Sequence, residues 1–142
     1  MYEFSAQAEI TADAATAWAV VADVNGWPAW DPHEQAARLD GPFEAGTTGW
    51  SKPHGGPATD WTITDVVPLR SWASECGLPG GKIAGTNTFE PRGDGKIRCV
   101  KTVRVYGPLA PLFRFYFGRR MRADMLKTFT ALEREAARRH AA

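Results

Sequence analysis

The chain has 142 residues, 44% of them hydrophobic and 23% charged, which are the proportions of one globular domain rather than of a disordered segment. A formal net charge of +1 offers no electrostatic basis for a nucleic-acid partner, and no apolar run approaches the ~20 residues of a membrane-spanning helix, so an integral membrane protein is excluded. Two cysteines, Cys76 and Cys99, and a first stretch without signal-peptide features lead us to expect a cytoplasmic protein with reduced thiols, folded as a single domain over residues 1–142.

Residues 2–10 alternate, with Tyr2, Phe4, Ala6, Ala8 and Ile10 on one side and Glu3, Ser5, Gln7 and Glu9 on the other, the period of a half-buried strand. Thr11 or Asp13 can cap a following helix, in which Ala14, Trp18, Val21 and Ala22 recur at helical spacing. Asn25-Gly26 stops that helix and Pro28 blocks its continuation. Glycines and prolines crowd residues 41–57, which predicts short strands joined by tight turns, with Trp50 in one of them. Alternation returns over residues 59–66, placing Trp61 and Ile63 on one face. Residues 70–76, 82–90 and 96–106 read as further strands of an antiparallel meander.

Gly107-Pro108 ends the last strand, and from residue 109 the period changes from 2 to ~3.6. Leu112, Phe113, Tyr116, Phe117, Met121, Met125, Phe129, Leu132 and Ala136 form one stripe, with Gly118 a weak point or bend. So wide an apolar face needs a large partner, and the sheet is the one available. The basic residues Arg114, Arg119, Arg120, Arg122, Lys127, Arg134, Arg138 and Arg139 fall outside the stripe. They read as a solvated face that also complements the helix dipole; phosphates or an anionic membrane are the alternative partners for such a face.

The order strand, helix, aromatic break, six strands, long helix resembles the START-like superfamily, in particular its polyketide cyclase/dehydrase branch. The resemblance is carried by Ala12-Asp13-Ala14 with Ala17-Trp18 and Asp23-Val24, and by Gly26-Trp27-Pro28-Ala29-Trp30-Asp31-Pro32. Gly41-Pro42-Phe43 with Gly46-Thr47, and Gly107-Pro108-Leu109-Ala110-Pro111-Leu112, extend it over nearly the whole chain. It implies an α+β helix-grip fold, a curved antiparallel sheet of six to seven strands around a long C-terminal helix, with one or two short helices after the first strand. It also implies an internal cavity, since a sheet curled around a helix leaves space wherever facing side chains do not fill it. The family includes aromatase/cyclases, lipid carriers, receptors and stress proteins, so the fold alone does not select a function.

Catalytic signatures are few. His33-Glu34-Gln35-Ala36-Ala37 begins like a zinc-protease motif but lacks the second histidine, and His33, His54 and His140 are scattered, so neither a metal nor a cofactor is expected. Cyclisation, dehydration or isomerisation of a carbonyl compound needs only shape and one or two acid–base groups. Asp31, His54, Glu75, Lys101 and Arg104 are the candidates. Each has a plainer reading: Asp31 before Pro32 fixes a turn, His54 lies in a loop, and Glu75 and Arg104 depend on strand register. Lys101 and Arg104 have opposite parity, so in a regular strand only one faces the cavity; Val103 and Val105 share the side of Lys101.

Trp18 reads as core, while Trp27 and Trp30 seal the gap between the first helix and the sheet. Trp30, Trp50, Trp61, Trp72 and Phe89, with Phe113, Phe117, Met121 and Met125 from the terminal helix, are the expected walls of the cavity. The expected protein is therefore a monomer or homodimer that binds a polyketide-like or lipid-like compound. Cofactor-free cyclisation or dehydration, passive carriage, and a co-chaperone-like interaction domain are its candidate functions.

Overall fold

The computed structural model describes residues 1–141, with the side chains of Tyr116 and Phe117 outside the described part. Strand β1 (Tyr2–Thr11) keeps its alternation in three dimensions, with Phe4, Ala6 and Ile10 buried and Glu3, Ser5 and Glu9 exposed. Helix α1 (Ala14–Ala22) starts at Asp13, whose Oδ2 accepts from the backbone N–H of Thr16 at 3.0 Å and from its hydroxyl at 2.8 Å. A 3₁₀ turn (Val24–Gly26) and the short α2 (Trp27–Trp30) form the aromatic break, with Pro28 in the first turn of α2, where no N–H is needed.

Six strands follow: β2 (Glu34–Leu39), β3 (Thr48–Pro53), β4 (Thr59–Val67), β5 (Ser71–Leu78), β6 (Gly81–Gly93) and β7 (Lys96–Tyr106). All pairs are antiparallel, in the order β1-β7-β6-β5-β4-β3-β2, so β1 and β2 are the two edges of a curved, open half-barrel. The first strand after the break therefore begins at Glu34, ahead of the glycine-rich segment in which the sequence places it.

The terminal helix is not continuous from residue 109. Its start is α3 (Ala110–Leu112), then one π-helical turn (Phe113–Phe117), then α4 (Gly118–Ala141). The widened turn shifts the helical phase. Leu112 is 42% exposed as a result and leaves the apolar stripe, whereas Met125, Phe129, Leu132 and Ala136 hold to it and are buried. Gly118 is a site of close approach: a Cβ there would stand 2.9 Å from the Tyr2 hydroxyl. α4 packs on β1 and α1, and Arg139 pins its end to α1 through Asp23 at 3.4 Å. The sheet thus curls around a helix lying in its hollow, the helix-grip arrangement expected from the resemblance.

Candidate functional site

Between the sheet and α4 lies a cavity of about 420 Å³. Trp61, Trp72, Phe89 and Val103 line it from the sheet, and Met121, Met125, Phe129 and Leu132 from α4. Trp27 and Trp30 of α2 close one side. Trp27 stacks on Trp61 with centroids 5.8 Å apart and planes 13° from parallel, and Trp72 tilts against both at 6.0 and 6.3 Å. Two of these indoles have their N–H groups satisfied: Trp27 Nε1 donates to the Val21 carbonyl at 2.9 Å and Trp61 Nε1 to Ser51 Oγ at 3.2 Å. Their orientation is therefore fixed by hydrogen bonding as well as by packing.

Gly49 sets the position of Trp61. A Cβ at residue 49 would come within 2.5 Å of the Trp61 ring, so the indole occupies the space a side chain would need. Gly49→Ala is expected to displace that ring, to cost about 1–3 kcal/mol of overpacking, and to alter the near-ultraviolet circular dichroism of the tryptophan cluster, all measurable by denaturant unfolding and spectroscopy.

One end of the cavity is polar. Asp31, where α2 ends, accepts at Oδ1 from the His33 backbone N–H at 3.0 Å and from the Thr128 hydroxyl of α4 at 3.4 Å. His33 donates from Nε2 to the Asp124 carbonyl at 3.0 Å, which fixes the proton on that nitrogen, and its Nδ1 lies 4.0 Å from the Asp124 carboxylate. Together these contacts tie the α2–β2 segment to α4. Glu34, the first residue of β2, lines the cavity, and its buried Oε2 has no hydrogen-bond partner among the described residues. Burial, with the Asp31 carboxylate nearby, pushes its pKa up to about 7, against a smaller opposing pull from Lys101. Trp30 Nε1, in the same lining, likewise lacks an acceptor among the described residues.

Lys101 faces this group from β7. Its companions by parity, Val103 and Val105, are buried at 5% and 0% exposure, which settles the two-way choice on that strand in favour of Lys101. Burial pulls its pKa down, with Asp31 and Glu34 opposing. Arg104 points to the outer face, where its Nε donates to Glu3 Oε1 at 2.6 Å, and it takes no part in the cavity. Glu75 borders the cavity, but its carboxylate is paired with Lys82 at 2.7 Å. His54 is exposed and lies outside, in a second depression beside Arg120 and Lys127.

Trp30, Trp61, Trp72, Phe89, Met121 and Met125 stand in the wall of the cavity. Trp50 does not: Gly49 takes the inward position on β3, and Trp50 turns outward under the Arg38 guanidinium, 5.6 Å from its ring. Phe113 packs against the core rather than on the cavity, and the Phe117 side chain lies outside the described residues. Glu34 and His33 are the site residues that sequence reasoning passes over, since their only signal was an incomplete metal motif. Among the described residues no three His, Cys, Asp or Glu side chains converge to hold a metal, and no helix is long and apolar enough to cross a membrane. Cys76, in the cavity lining, and the buried Cys99 are free thiols; burial raises the pKa of both, that of Cys99 to about 12.

A half-barrel gripping its terminal helix around a largely apolar cavity defines a START-like ligand-binding fold. Residues 1–137 match the family model for polyketide cyclase / dehydrase and lipid transport, and the chain belongs to that family. The Zhui aromatase/cyclase from Streptomyces sp. R1128 superposes with a TM-score of 0.79 at 17% identity, over 97% of this chain and 94% of that one. A START superfamily protein from Mycobacterium smegmatis gives 0.74 at 15% identity, over 97% and 99%. The di-domain ARO/CYC StfQ of the steffimycin biosynthetic pathway gives 0.76 at 15% identity, over 99% of this chain and 52% of that one. At these identities the likeness establishes the fold. No curated protein matches the sequence.

Proposed function

We propose that this protein takes a polyketide-like or lipid-like hydrophobic compound into its cavity and performs cofactor-free acid–base chemistry on a carbonyl group, of the cyclisation or dehydration kind. The observation that carries this reading is Glu34, a carboxyl group with a buried, unpartnered oxygen among the described residues at the polar end of a largely apolar cavity, with a pKa of about 7 and Lys101 as its opposite charge. A carboxyl group poised near neutrality is present in both protonation states, so it can remove a proton from a carbon beside a carbonyl and return one to a leaving hydroxyl. The Lys101 ammonium supplies a donor for the enolate oxygen that develops, in surroundings where that contact is stronger than in water. Asp31 helps keep the Glu34 proton on, and its own carboxylate is anchored by the His33 N–H and the Thr128 hydroxyl. The relatives whose names include aromatase/cyclase add support from the same fold.

The test is α-deuteration of β-tetralone in heavy water, followed by proton NMR. The protein is expected to accelerate exchange over buffer, with a rate that rises through a pKa of about 7 as Glu34 ionises. No acceleration at any pH, with the ketone bound, would leave passive carriage as the better reading.

A further inference from the structure

The second depression lies against the first. His33 and Asp124 line both, so the two spaces share a wall at the polar end of the cavity. His54, in the turn between β3 and β4, is tied to this wall by its backbone N–H, which donates to the His33 carbonyl at 2.9 Å. Arg120 and Lys127 face the depression from α4, seven positions apart and hence on one side of the helix. Both are exposed, and among the described residues neither has an ion-pair or hydrogen-bond partner. The one carboxylate in the lining, Asp124, has the His33 ring 4.0 Å away. Two permanent cations therefore outweigh one acid, and the local field favours an anion over a cation.

We propose that this depression is an anion-binding vestibule and that the compound taken up by the cavity carries a carboxylate or phosphate tail held by Arg120 and Lys127. The proposal rests on the reading that the cavity holds the apolar body of the ligand. It narrows the ligand class to amphiphiles: a hydrophobic body against Trp61, Trp72 and Phe89, and an acidic group that stays near water. Such a division places the charge where guanidinium and ammonium groups are already solvated, so no charge is carried into the apolar interior.

The experiment compares dansyl-undecanoate with its methyl ester by fluorescence titration of the wild-type chain, of Arg120→Gln/Lys127→Gln and of Lys101→Met. The acid is expected to bind about five-fold or more tightly than the ester. That advantage is expected to vanish in the double variant and to persist in Lys101→Met. Dansyl-undecyl phosphate, titrated beside them, tells a preference for phosphate from one for carboxylate. Equal affinity for acid and ester, or an advantage that survives the double substitution, overturns the vestibule while leaving the cavity reading intact. Failure of both acid and ester to bind overturns the cavity reading, and the vestibule with it.

Discussion

Glu34→Gln is expected to abolish the acceleration of α-proton exchange, by ~100-fold or more, while leaving hydrophobic ligands bound, because the amide keeps the shape of the side chain and loses its proton transfer. The same substitution has a second readout. Folding raises the Glu34 pKa from its ordinary 4.5 to about 7, so between these values the native chain holds a proton that the unfolded chain has released. Stability associated with this group is therefore full below about 4.5, falls as pH rises towards 7, and stays at the lower level above it. Removing the carboxyl removes that slope. Relative to wild type, Glu34→Gln is expected to gain ~1–3 kcal/mol above neutrality, a range already reduced for the partial exposure of the group. Thermal unfolding at pH values on either side of the transition measures it. A variant that loses exchange activity without flattening the stability profile would separate catalytic loss from the removal of a buried ionisable group.

Phe129→Ala is expected to have the largest effect on stability. Phe129 is 6% exposed, sits in the middle of the buried stripe of α4, and forms part of the cavity wall. Truncation removes a large apolar contact and joins the vacated space to the existing cavity, so about 3–5 kcal/mol is lost. For a domain of this size that lowers the unfolding midpoint by roughly 10 °C. The enlarged cavity is also expected to grip the dansyl probes less tightly, which links the helix that holds the fold together to the wall that holds the ligand. If α4 docked elsewhere, the stability loss would appear without the change in probe affinity.

Much of this could be read from the chain. β1 was legible because Phe4, Ala6 and Ile10 alternate cleanly with charged and polar residues, and α1 because Asp13 precedes a helical apolar pattern. β2 was not, because Glu34–Leu39 contains Ala36, Ala37, Arg38 and Leu39, good helix formers without period-two alternation. Its strand form comes from pairing with β3 across a bulge, and from Asn25 accepting the Leu39 N–H at 2.9 Å. The orientation of Trp50 was likewise a tertiary matter, decided by the demand of Trp61 for the empty side of Gly49. For Lys101 the missing information was register. Once β1 and β7 pair, Lys101 stands opposite Ala6 and Val103 opposite Phe4, so the buried face of β1 dictates which face of β7 looks inward. Glu34 escaped notice because its significance lies in its surroundings: no spacing of residues announces a carboxyl group whose pKa burial and Asp31 raise to about 7.

Glu34 sits on β2, the last strand in the sheet, and Lys101 on β7, next to the opposite edge, so four strands separate them along the hydrogen-bonded path. Only the curl of the sheet brings the two charges within each other's field. Their mutual influence therefore belongs to the folded sheet as a whole, and not to any pair of adjacent strands or sequence neighbours.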